Sequence, residues 1–132
     1  MTIPLSAFAS LVVANLPELR HDIEERAHLP YHQVVAFRRF TQRAIDSGDL
    51  DSVRRCFSFA DRLRSNADPE MCKAIDACYL EELDFSGFRG IRATCLLTPG
   101  LSLGLLEINE ALERSLTSRF KRKMPLSDSG DG

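Results

Sequence analysis

The chain has no tryptophan, two tyrosines, seven glycines and six prolines in 132 residues. No apolar run approaches the ~18–20 residues that a membrane-spanning helix needs. The first 19 residues hold neither Lys nor Arg, so the apolar opening from Ile3 to Leu16 lacks the basic start of a secretory signal. Cys56, Cys72, Cys78 and Cys95 show no C-x-x-C spacing, the pattern that zinc and dithiol redox sites use. Such thiols are expected to be free and buried, packing as small hydrophobes. There is no G-x-S-x-G elbow, no phosphate-cradling loop and no H-E-x-x-H. A cytoplasmic protein that is not an enzyme, holds no cofactor and enters no membrane is the expectation.

What is present suits one globular domain. Hydrophobic residues make up 44% and charged residues 27%, and a chain of this length buries on the order of 65–70% of its unfolded surface. Breakers divide the sequence into helix-length pieces. Pro4 to Ala14 carries Leu5, Phe8, Leu11 and Val12 on one stripe, and Pro17 opens a second piece to about Ala27. After the break at His28, Leu29 and Pro30, the piece Tyr31 to Ser47 repeats Val34, Phe37, Phe40 and Ala44 at helical spacing. Gly48 stands where a left-handed cap belongs, and Asp49 can cap the next helix. Asp68, Pro69 and Glu70 combine a capping acceptor, proline at the first helical position and early negative charge. That helix is expected to reach Leu83, followed by a loop from Asp84 to Gly90 and a short helix from Ile91 to Leu97. Thr98 and Pro99 repeat the start signal for a long final helix marked by Leu101, Leu105, Ile108 and Leu112.

All-α is therefore the predicted class, with six to seven helices in one domain over 1–124 and a disordered tail at 125–132. The predicted core includes Phe37, Phe40, Val53, Phe57, Ile75, Tyr79, Leu105 and Ile108. Three helices start at Tyr31, Leu50 and Pro69, each nineteen residues after the last. A thirty-eight-residue pair lies close to the ~40 residues of HEAT and armadillo units, so a short α-solenoid and an ordinary helical bundle both remain open.

The histidines offer little: His28 and His32 are four apart, but Pro30 between them argues against one continuous ligand face. The charges are more informative. Residues 30–66 hold seven Arg and four Asp, whereas residues 67–113 hold three cations and nine anions. Asp51 and Asp61 stand at spacings that permit local ion pairs with Arg54, Arg55 and Arg64. A nucleic-acid groove would want a basic total, and the whole chain carries −2. The candidate contact residues are instead acidic: Glu81, Glu82 and Asp84 at the end of the fifth helix, and Glu107, Glu110 and Glu113 on the last. Paired carboxylates can run acid–base chemistry, but at a helix end they read as surface charge, either a solvated acidic face or a docking face for a basic protein partner.

The middle of the chain reads LPYHQVVAFRRF from Leu29, AIDSGDLDSVRRCFSFADRL from Ala44 and DPEMCKAIDACYLEEL from Asp68 to Leu83. This stretch resembles a family of small bacterial helical proteins that are similar to the immunity proteins of polymorphic toxin systems. The resemblance implies a non-enzymatic partner for a cognate toxin domain encoded by a neighbouring gene. On that expectation the protein binds and occludes the toxin; a helical-repeat adaptor between other proteins is the alternative. No nucleic acid and no membrane partner is implied.

Overall fold

The computed structural model describes residues 2–123, with side chains as far as Leu116. These residues form α1 (Phe8–Asn15), α2 (Arg20–Glu25), α3 (Pro30–Ser47), α4 (Leu50–Ser65), α5 (Pro69–Ile75), α6 (Gly87–Thr94) and α7 (Pro99–Lys123). Short 3-10 turns at Leu5–Ala7 and Pro17–Leu19 lead into α1 and α2, and a π turn at Asp76–Leu80 extends α5. Among the described residues there is no strand, only an isolated parallel bridge between Ile3 and Ala67. The tail expected at 125–132 lies outside the described residues.

The capping chemistry is local and as expected. Gly48 ends α3 at φ 74°, the side chain of Asp49 accepts from the Ser52 N–H at 3.2 Å, and Asp68 accepts from the Met71 N–H at 2.8 Å. Thr98 accepts from the Leu101 N–H at 3.1 Å through its hydroxyl oxygen. His28 takes a left-handed φ of 67° between α2 and α3, a conformation that His adopts more readily than most residues.

The arrangement is a bundle built around α3, which packs against α1, α2, α4, α6 and the π turn. In a solenoid each unit meets only its neighbours, whereas α3 is packed on helices from both ends of the chain, and the helices that start at Pro30, Leu50 and Pro69 differ in length, so the nineteen-residue spacing does not mark stacked repeats. Phe37 of α3 stacks on Tyr79 of the π turn at 4.4 Å and 13°. It also meets Phe59 of α4 edge-on at 5.5 Å, and Phe8 of α1 lies 6.1 Å away. Such pairs add about 0.5–1.5 kcal/mol beyond the burial itself. The phenol of Tyr79 is satisfied inside this cluster: it lies 3.0 Å from the Thr41 hydroxyl, which in turn donates to the Phe37 carbonyl at 3.1 Å.

Four expectations change. Phe40, Leu105 and Ile108 are half-buried at the edge of the core, whereas Phe37, Val53, Phe57, Ile75 and Tyr79 lie inside it. All four cysteines are free, but only Cys56 is buried; Cys72 and Cys78 are half-buried and Cys95 is exposed. The fifth helix does not continue to Leu83 as α-helix. It widens at Asp76, whose carbonyl accepts from the Glu81 N–H five residues on at 2.9 Å. This wide turn keeps both Tyr79 and Leu80 in the core while the Asp76 carboxylate meets Arg64 of α4. Finally, the sixth helix begins at Gly87 rather than Ile91 and ends at Thr94. Gly90 lies inside it, pressed so closely on the Phe85 backbone that no Cβ would fit, which is why a residue that reads as a loop former sits within a helix.

Candidate partner-binding surface

Residue pattern and packing together decide which side of α7 is free. At ~100° per residue, Leu101, Leu105 and Ile108 share one stripe, and they meet the core, Leu101 fully and the others in part. A second side lies against α4 through glycines. A Cβ at Gly100 would come within 2.5 Å of Asp61 Oδ1, and one at Gly104 within 2.9 Å of Arg64 Cζ. This lets the helix approach the polar edge of α4. There Arg64 donates to Asp76 from Nε at 2.7 Å and from Nη2 at 3.3 Å. Its Nη2 also lies 3.5 Å from Glu107 Oε1. The hydrogen bond with Asp76 holds the Arg64 guanidinium more firmly protonated than usual, against the opposing effect of burial.

The outward side of α7 carries the acidic residues singled out above, and it also carries leucines. Leu103, Leu106, Glu107, Glu110 and Glu113 fall within ~120° of arc at ~100° per residue. Leu103 and Leu106 are each 56% exposed. Glu110 and Glu113 are exposed and form no ion pair among the described residues. Sequence reasoning located the three glutamates and missed the two leucines. Their signal was present, since both lie off the stripe marked by Leu101, Leu105 and Ile108.

The other acidic group is elsewhere and partly occupied. Glu81 and Glu82 are exposed just after the π turn, and Glu82 lies beside Cys78, where Arg38 of α3 opposes its effect on the thiol. Asp84 accepts from the Ser86 N–H at 2.9 Å, and its hydrogen bonds with Ser86 hold its carboxyl below the usual range. Its backbone is clasped by Gln42 of α3, through bonds of 2.8 and 3.0 Å. The six acidic candidates thus sit on two different elements, the segment after the π turn and α7, with different partners.

The arginines are largely engaged in holding helices together. Arg55 makes a forked pair with Glu18 at 2.6 and 3.0 Å, and Arg62 donates to Asn15 at 2.8 Å. Arg89 donates to the Asp46 carbonyl at 2.6 Å, and Arg92 lies 5.8 Å from the centre of the Phe88 ring. These last side chains border a surface groove of about 310 Å³ with Ser47, Gly48 and Leu50. Phe88 and Ile91 of α6 are 73% and 63% exposed. His21 pairs with Glu25 at 3.1 Å, and His28 and His32 are exposed on either side of the α3 start. Among the described residues no three His, Cys, Asp or Glu side chains are grouped to hold a metal ion. No single described helix is long and apolar enough to cross a membrane; α6 and α7 reach the necessary apolar length only jointly, across a 119° bend.

Residues 9–101 match a family described as "Domain of unknown function (DUF7674)". No curated protein and no solved structure matches the chain. The matched residues span α1 to α6 and end at Leu101, where α7 enters the core. They include Glu81, Glu82 and Asp84, and they leave out the outward face of α7.

Proposed function

Since the chain belongs to the DUF7674 family, whose description assigns no activity, we propose a role from its surface: it is a protein-binding module that docks through the outward face of α7. The observation that carries this is the pair Leu103 and Leu106, each 56% exposed, set among Glu107, Glu110 and Glu113. An exposed apolar patch rimmed by charge is what protein interfaces use, the apolar centre supplying affinity and the rim steering the approach. The charge of the rim selects a basic partner. As an immunity protein, the module fills the basic cleft of a toxin domain that acts on nucleic acid or nucleotides, which blocks access to substrate. Glu81, Glu82 and Asp84, which follow the π turn and are not on α7, are left out of the central contact.

The test is co-expression with the product of the adjacent upstream gene, followed by co-purification and a protection assay. Replacing Leu103 and Leu106 together by Glu is expected to abolish the complex while helical circular dichroism is retained. Replacing Glu110 and Glu113 by Lys is expected to slow association and reduce its salt dependence. Glu107 is left intact in that variant because it also pairs with Arg64. A complex that survives both variants places the docking site elsewhere, and a neighbouring product that neither binds nor poisons the cell removes the immunity role.

A further inference from the structure

We propose that the outward face of α6 in one copy of this chain docks on the outward face of α7 in a second copy. Phe88, Ile91 and Arg92 stand at positions i, i+3 and i+4 of α6 and fall within ~100° of arc. Phe88 and Ile91 are 73% and 63% exposed, and the Arg92 guanidinium lies 5.8 Å from the centre of the Phe88 ring. Leu103, Leu106 and Glu107 repeat the same spacing on α7, fifteen residues later. Each helix thus shows two large apolar side chains and one charge in the same order, and the charge has the opposite sign. Across the 119° bend between α6 and α7 both faces stay exposed in one chain, so neither covers the other.

Charge identifies the occupant from both sides. The groove beside Phe88, lined also by Ser47, Gly48, Leu50, Arg89 and Arg92, holds two cations and no carboxylate. Arg89 is fixed there by donating to the Asp46 carbonyl at 2.6 Å. Neither arginine forms an ion pair among the described residues. The flanking carboxylates are engaged, Asp46 accepting from Gln42 at 3.1 Å and Asp49 from the Ser52 hydroxyl at 2.8 Å. The α7 face sets Glu107, Glu110 and Glu113 against Arg114 alone, which lies on the same arc at its distal end. Packing α6 on α6 would bring arginines together, and α7 on α7 would gather an excess of glutamates. Only the unlike pair joins apolar to apolar and basic to acidic. A copy carries both faces, so two chains can make the contact twice about a two-fold axis. The contact occupies the α7 face assigned above to a basic partner, but it rests only on side chains of this chain, so either reading survives failure of the other.

Sedimentation velocity of the full chain over a wide concentration range tests this. Reversible self-association that weakens as salt is raised is expected. Phe88→Ser with Ile91→Ser should weaken it at least ~10-fold while helical circular dichroism is retained. Both residues lie outside the face of the proposed partner, so this variant reads the self-contact alone. Arg92→Glu, and separately Glu110→Lys with Glu113→Lys, should each weaken self-association at least ~10-fold. Mixed in equal amounts, these two charge variants should restore it, because every contact between them joins opposite charges. An unmodified chain that stays monomeric at every concentration overturns the proposal. So does self-association indifferent to the Phe88 and Ile91 changes, as an α7-on-α7 contact would be, or a pair of charge variants that do not rescue each other.

Discussion

Alkaline pH should weaken this protein through one buried thiol. Cys56 lies inside the bundle on α4, and burial pushes its pKa from the ordinary 9.0 up to about 11, only partly opposed by the Thr41 hydroxyl. The unfolded chain gives up this proton near pH 9 and the folded protein near pH 11. Stability from this group is therefore complete below pH 9 and is lost as the pH rises through about 11. A difference of about two units corresponds to ~2.7 kcal/mol when fully expressed, of which ~1.4 kcal/mol has gone by about pH 10. Tyr79 acts in the same direction: its phenol is fully buried and burial pushes it well above the ordinary 10.0, so its share begins to disappear once the unfolded phenol ionises. Against a typical total of ~5–15 kcal/mol, these losses are large enough to read. Urea unfolding at about pH 8 and about pH 10 gives the difference directly. Cys56→Ala should cost ~1–2 kcal/mol at the lower pH through the small cavity it leaves, and should then lose distinctly less than the parent between the two. Burial also pushes up the Cys72 and Cys78 thiols, so the decline is reduced and not abolished. Equal losses for parent and variant would refute the reasoning.

Other consequences of the packing can be read by denaturation and labelling. Phe37→Ala removes the ring that stacks on Tyr79 and meets Phe59 and Phe8, and should cost ~3–5 kcal/mol. Phe40→Ala, at a half-buried position, should cost less than half of that, and equal costs would show that the edge of the core is drawn wrongly. Asp68→Ala removes the acceptor for the Met71 N–H and should cost ~1 kcal/mol in urea unfolding. A thiol reagent should modify exposed Cys95 first and Cys56 last in the native protein, and should find four free thiols after denaturation without reductant.

The parts of the fold that were legible in the sequence rest on chemistry within one turn of chain. Asp49, Asp68 and Thr98 cap because an acceptor and an N–H three residues on need nothing else, and the 3.6-residue period of α3 and α4 requires only a core on one side. What escaped is long-range. Arg55 was expected beside Asp51, but its guanidinium meets Glu18, thirty-seven residues away, in a fork that ties the 3-10 turn before α2 to α4. The π turn escaped for a similar reason. Nothing near Asp76 in sequence calls for a wider turn; Arg64 of α4 on one side and the stacking of Tyr79 on Phe37 on the other do.

The candidate surface shows the same division more sharply. Charge counted along the chain gathers Glu81, Glu82, Asp84, Glu107, Glu110 and Glu113 into one acidic block, and folding gives its members different surroundings, since Asp84 is held by Gln42 and Ser86 while Glu107 reaches Arg64. The leucines of α7 all look alike as letters. Their roles follow from where the bundle ends. Leu101 is covered, Leu105 and Ile108 sit at the rim, and Leu112 and Leu116 stand beyond it. The same apolar period is therefore core at one end of α7 and exposed surface at the other, and no count along the helix alone could tell the two apart.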